Sequence, residues 1–207
     1  MLAAAILAGG AARRLGGAAK ALLPIGNRRI IDRQLAALQA VTRTIFIVAP
    51  DPAPYDGLGL RVVPDAVAGA GALGGIYTAI VESPEPRTLV LACDLPFVTP
   101  ALFRALAAPE RAHADVVIPR TTRGLEPLCA VYASTCAAPI LERIRRGALQ
   151  ASELPGGVAV SEIGPDAIAA IDEDGRLFAN VNTPHDYERA VGLIELEPDP
   201  AQDRITE

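Results

Sequence analysis

Apolar residues come in short blocks along this chain rather than in one long span. Six runs, at 2–7, 44–49, 60–64, 88–92, 115–119 and 128–132, are each long enough for one β-strand. Between them lie amphipathic stretches at 29–40, 74–82, 100–108, 135–146 and 184–194, where apolar positions recur at the helical period. Several of the strand-like runs are apolar on both faces, the pattern of parallel strands covered by helices on each side. Thr99-Pro100 and Thr183-Pro184 each set a capping hydroxyl ahead of a first-turn proline and so mark two helix starts. This alternation predicts an α/β fold: a three-layer α/β/α sandwich on a mostly parallel sheet, Rossmann-like, as one domain over 1–195. The weakest periodicity falls at 148–174, expected to be an irregular lobe. Residues 196–207, with Pro198 and Pro200 and no apolar period, are expected to form a loose tail.

Composition narrows the class. With 207 residues, 51% hydrophobic and 21% charged, the chain can bury a core and is not a disordered polymer. A net charge of −5 opposes a broad nucleic-acid surface while leaving room for a local anion pocket. The apolar run from Met1 to Ala8 is too short to span a bilayer and lacks a basic flank, so it reads as a buried strand, with no membrane association. Cys93, Cys129 and Cys136 are odd in number and have no metal-ligand spacing, which points to reduced, structural thiols and a cytoplasmic setting. His113 and His185 stand alone and read as surface or capping residues.

If strands alternate with helices, ligands should sit beyond the strands' carboxyl ends, and the unusual residues cluster there. The segment from Leu7-Ala8-Gly9-Gly10 through Arg14-Leu15-Gly16-Gly17 to Lys20 follows the first strand. Its glycines allow backbone N–H groups to approach phosphate oxygens, and Arg14 and Lys20 add fixed positive charge. It is neither a P-loop nor a dinucleotide fingerprint, and an ordinary glycine-rich turn is the plain alternative. Cys93-Asp94-Leu95-Pro96 puts a carboxylate just past a strand, where Mg²⁺ would be held, although Asp before Pro also starts turns. In Asn180-Val181-Asn182-Thr183-Pro184 the two asparagines project to one side of an extended segment, and Thr183 caps the helix behind them. Glu126, forced extended by Pro127, reads from residue chemistry alone as a rim carboxylate on an edge strand. Asp65, ahead of the glycine-rich stretch 69–75, enters either a substrate loop or a long turn.

These five motifs, in this order and over about 2–190, resemble the molybdenum cofactor guanylyltransferases, the MobA-type enzymes with a nucleotide-diphospho-sugar-transferase-like fold. The resemblance implies transfer of GMP from GTP to the terminal phosphate of molybdopterin, with release of pyrophosphate. Leu7, Ala8, Gly9, Gly10, Arg14, Lys20, Asp65 and Asp94 would bind the nucleotide; Lys20 and Asp94 would be catalytic, with Mg²⁺ on Asp94. Glu126, Asn180 and Asn182 would meet the acceptor. GTP and molybdopterin would be the substrates, and transient contacts with molybdenum-cofactor synthesis proteins are expected. Leu15 stands where the family has Met and Ala19 where it has Asp, and the segment after the second strand reads Val48-Ala49-Pro50-Asp51 where some members have Asn. Rival readings are a cytidylyltransferase or a sugar-1-phosphate nucleotidyltransferase on the same fold, or a non-catalytic carrier. Cytidylyl relatives tend to read Leu-Ala-Ala-Gly and Gly-Asp where this chain has Leu7-Ala8-Gly9-Gly10 and Cys93-Asp94, which favours guanine.

Overall fold

A computed structural model describes residues 1–9, 19–172 and 174–195. The chain opens with strand β1 (Leu2–Leu7), and the small hairpin β2 (Pro24–Ile25) and β3 (Arg28–Arg29) leads into helix α1 (Ile30–Leu38). Strands β4 (Ile45–Val48) and β5 (Arg61–Val63) precede α2 (Gly71–Val81), β6 (Arg87–Ala92) and α3 (Pro100–Leu106). Next come β7 (Val116–Thr121), β8 (Gly124–Leu125), β9 (Cys129–Ala133) and α4 (Ala137–Arg145). The last elements are β10 (Val160–Ile163), α5 (Pro165–Ala169) and α6 (Pro184–Glu195).

The main sheet runs β10-β7-β9-β6-β1-β4-β5, with β8 paired to β7. Strand β1 is central and parallel to both neighbours, β4 and β6. Its successive residues alternate between the two faces, as strand geometry requires. Ala4 and Ile6 enter a core layer with Ile31 and Leu38 of α1 and Leu102 and Phe103 of α3. Ala3 and Ala5 enter the opposite layer with Leu73 and Ile76 of α2 and Ile140 of α4. Each fully buried Leu or Ile in these layers contributes roughly 1.5–3 kcal/mol. The α/β/α sandwich follows from that double coverage. No helix among the described residues is long and apolar enough to cross a membrane.

Two expectations need correction. The segment 148–174 is not irregular throughout, because β10 adds a parallel edge to β7 and α5 follows it. The strand after Glu126 is not an edge: β9 lies between β6 and β7, antiparallel to both. The tail at 196–207 lies outside the described residues.

Connectivity then fixes where a ligand can go. From β1 the chain moves outward to β4 and β5, then returns to the other side of β1 at β6. Strand order reverses at β1, opening a crevice beyond the carboxyl ends of β1 and β6. Leu7 and Ala92 are register partners at that edge, so the segments after Ala8 and after Ala92 emerge side by side.

Candidate active site

The chain leaves β1 still tied to both neighbours. Ala8 N–H donates to the Val48 carbonyl at 2.8 Å, and Cys93 N–H donates to the Leu7 carbonyl at 3.2 Å. Gly9 follows, and a Cβ built on it would stand 3.7 Å from Asp65 Oδ2 and 3.9 Å from Pro50 Cδ. Gly9 and Asp65, more than fifty residues apart in sequence, therefore share one wall. Gly10 and Arg14 lie outside the described residues, as does Arg13.

Lys20 opens a short 3₁₀ turn (Lys20–Leu22) that packs on α1. Its Nζ donates to Asn182 Oδ1 at 2.5 Å and lies 3.8 Å from Asp94 Oδ2. The Val181 N–H donates to the Asp94 carbonyl at 2.9 Å, stitching the asparagine segment to the turn after β6. Val181 is buried, whereas the flanking Asn180 and Asn182 are half-buried. Asn182 N–H and Thr183 N–H donate to Asp186 Oδ2, while Asp186 N–H donates to Thr183 Oγ1 at 3.1 Å. This reciprocal cap starts α6 at Pro184 and fixes Asn182 just ahead of it.

Leu7, Gly9, Lys20, Asp65, Asp94 and the first turn of α2 line one cavity of about 470 Å³. Burial pushes the Asp94 carboxyl above the usual carboxylate range, with Lys20 pulling it partly back. Burial alone pushes Asp65 up. Asp94, half-buried beside Lys20, and Asp65, exposed on the same wall, put two carboxylates against one lysine, which favours a cation there. Among the described residues no three acidic, His or Cys side chains converge as a self-sufficient metal cage. One or two carboxylates completed by substrate phosphate oxygens nevertheless suit Mg²⁺, so the donor set fits that ion. The Cys93 thiol, buried and beside Asp94, is pushed up to about 12 and stays a neutral packing group. His113 and His185 are exposed.

Glu126 does not line this cavity. Its Oε1 accepts from Thr121 Oγ1 at 3.1 Å and from Arg123 Nη2 at 3.5 Å. Arg123 also reaches the Phe178 carbonyl at 2.8 Å and lines a second cavity of about 570 Å³ with Arg176 and Arg189. Lys20, Asp65 and Asp94 are thus brought together with Gly9, and Asn182 joins them through Lys20. Glu126 sits apart, and among the described residues Asn180 adds no side-chain hydrogen bond to the cluster.

Two features escaped the motif reading. Lys20 is the only lysine in the sequence, all other basic residues bar the histidines being arginine, a compositional signal that marks it out. Gln34 occupies the apolar stripe of α1, four residues after Ile30 and four before Leu38, and is fully buried. A polar residue on a buried stripe needs partners, and Gln34 Nε2 finds them in the carbonyls of Ala92 and Leu95.

The chain is similar to known proteins over most of its length. Residues 4–154 match the MobA-like NTP transferase domain. The probable molybdenum cofactor guanylyltransferase of Pelotomaculum thermopropionicum is 37% identical over 190 residues, covering 92% of each chain. The molybdenum cofactor guanylyltransferase of Desulfosudis oleivorans is 32% identical over 92% of this chain and 94% of its own. The crystal structure of molybdopterin-guanine dinucleotide biosynthesis protein A from Archaeoglobus fulgidus superposes with a TM-score of 0.76 at 27% identity, covering 94% of this chain and 99% of that one. A domain match over most of the chain, and relatives aligned over about nine tenths of it, show that this protein belongs to the MobA-like NTP transferase family and is a nucleotidyltransferase.

Proposed function

We propose that the enzyme transfers GMP from GTP to the terminal phosphate of molybdopterin, giving molybdopterin guanine dinucleotide and pyrophosphate, with Mg²⁺ as the metal. The observation that carries this is the convergence of Lys20, Asp94, Asp65 and Gly9 on one cavity at the strand-order reversal. The relatives named as guanylyltransferases support the same nucleotide and acceptor. An acceptor phosphate oxygen forms the new bond to the α-phosphorus of GTP, and the bond from that phosphorus to the β-phosphate bridge breaks. The attacking oxygen is already ionised, so no general base is required, in keeping with two exposed histidines. The main barrier is repulsion between two polyanions. Lys20 would swing from Asn182 onto the triphosphate and stabilise charge on the departing pyrophosphate. Gly71 and Ala72 of the first turn of α2 line the same cavity, and N–H groups at the start of a helix lack partners within it. Asp94, with Asp65 nearby on the wall, would hold Mg²⁺, which neutralises phosphate charge and orients the chain of phosphates. Asn182 would place Lys20 between turnovers, and Asn180 and Glu126 are the remaining candidates for the acceptor side.

A single lysine makes the test direct. An amine-reactive ester should modify Lys20 and the chain's amino terminus, and GTP with Mg²⁺ should protect Lys20 at concentrations where CTP, ATP and UTP do not. Pyrophosphate release should then require GTP and molybdopterin together. Preferential release with CTP would replace the guanine assignment, and no release with any nucleotide would remove the transferase reading.

A further inference from the structure

The turn that carries Asp94 is held by main-chain bonds from several directions. Ala92 N–H donates to the Leu128 carbonyl at 2.7 Å, Cys93 N–H to the Leu7 carbonyl at 3.2 Å, and the Asp94 carbonyl accepts from Val181 N–H at 2.9 Å. The carbonyls of Ala92 and Leu95 are satisfied differently. Both accept from one nitrogen, Gln34 Nε2, at 2.8 and 3.0 Å. A primary amide has two N–H groups, so one side chain brackets the turn on either side of Cys93 and Asp94. The other end of that amide is unsupported: Gln34 Oε1 is buried with no hydrogen-bond partner among the described residues. A buried acceptor left unpaired costs stability, and an apolar side chain would complete the stripe of Ile30, Ile31 and Leu38 without that cost. Helix packing alone gives no reason for an amide at this position. The two carbonyl bonds do.

We propose that Gln34 is a positioning residue for the metal site: by clamping both flanks of the turn it fixes the direction in which Asp94 presents its carboxylate, and so sets how strongly Mg²⁺ tightens nucleotide binding. The inference rests on the reading of Asp94 as the metal ligand. Gln34 does not line the cavity, so it should leave metal-free nucleotide binding alone. Supporting residues behind a metal ligand typically change metal affinity by roughly ten- to a hundredfold.

The quantity to measure is the ratio of GTP affinities at saturating Mg²⁺ and in EDTA, read with a fluorescent GTP analogue. By linkage that ratio is the coupling between metal and nucleotide, and a reduced folded fraction cancels from it. Gln34→Met keeps length and volume but has no donor. It is expected to bind the analogue in EDTA as the parent does, with the ratio reduced roughly tenfold. An unchanged ratio, or an equal loss with and without Mg²⁺, would overturn the inference. Asp94→Asn, measured alongside, separates the two levels: if it too leaves the ratio unchanged, the metal-ligand reading itself fails. Should Gln34→Met not fold, the parent protein supplies the answer by nuclear magnetic resonance. The Gln34 side-chain amide signals should shift when Mg²⁺ is added to the GTP complex, and signals that stay in place would count against the clamp.

Discussion

Lys20 is held in reserve by two neighbours of different strength. Asn182 offers a neutral carbonyl oxygen at 2.5 Å and Asp94 a carboxylate at 3.8 Å, and on the proposed function a triphosphate would outcompete the first. A charge-assisted contact to phosphate contributes roughly 1.5–3 kcal/mol. Lys20→Ala is therefore expected to lower kcat/KM for GTP by about ten- to a hundredfold in a pyrophosphate-release assay. A loss of less than twofold would mean that Lys20 serves Asp94 and Asn182 and not the nucleotide. Asp65 makes a pH prediction of definite sign. Although exposed, Asp65 is partly enclosed by the cavity wall, which raises its folded carboxyl above the unfolded value, so its small stabilising contribution is complete below the unfolded value and is lost as pH rises through the folded one. Asp65→Asn has no such loss. It should melt above the parent near about pH 7, with the gap closing toward about pH 4 as the parent's carboxyl protonates, and should bind GTP more weakly. A melting difference that ignores pH would show that the side chain is hydrated in the fold.

At the scale of the elements, α2 and α6 make opposite demands on glycine. A Cβ at Gly74 would lie 2.8 Å from Ala70 Cβ and 3.2 Å from the Val67 carbonyl, and backbone cannot step aside cheaply. At Gly192, exposed in α6, nothing lies within 4 Å. In an open helix interior Gly→Ala gains about 0.5–1 kcal/mol, worth roughly 2–4 °C in a domain of this size. Gly192→Ala should melt higher by about that amount. Gly74→Ala should melt lower and weaken GTP binding, because displacing Val67 and Gly69 moves the cavity wall. If both substitutions raised the melting temperature, the loop before α2 would be softer than its contacts imply. The strands with continuous apolar runs were legible in sequence because burial on both faces leaves that mark. β10 was missed because its residues are exposed, half-buried, exposed and buried in turn, and α5 because five residues hold too little of a helical period.

For the whole molecule, the division between chain and fold is one of range. Strand and helix periods, the Thr99 and Thr183 caps, the sheet's mostly parallel character and the motifs proposed to meet phosphate follow from residues within a turn or two of each other. The lone lysine was there to be counted. The antiparallel insertion of β9 between β6 and β7 was not legible, because pairing depends on partners dozens of residues away that periodicity does not identify. The motifs gave Lys20, Asp65, Asp94 and Asn182 as separate points. Only the reversal of strand order at β1 joined them, making a contact between Lys20 and Asn182 across 162 residues. It also left Glu126 on Thr121 and Arg123, away from the cavity, although the motif order had grouped it with the acceptor side. Gln34 shows the same division: the sequence set an amide on a buried stripe, and tertiary packing alone decided that it would meet the two carbonyls flanking Asp94, because an unpaired donor in a core takes whichever acceptors the fold brings to it.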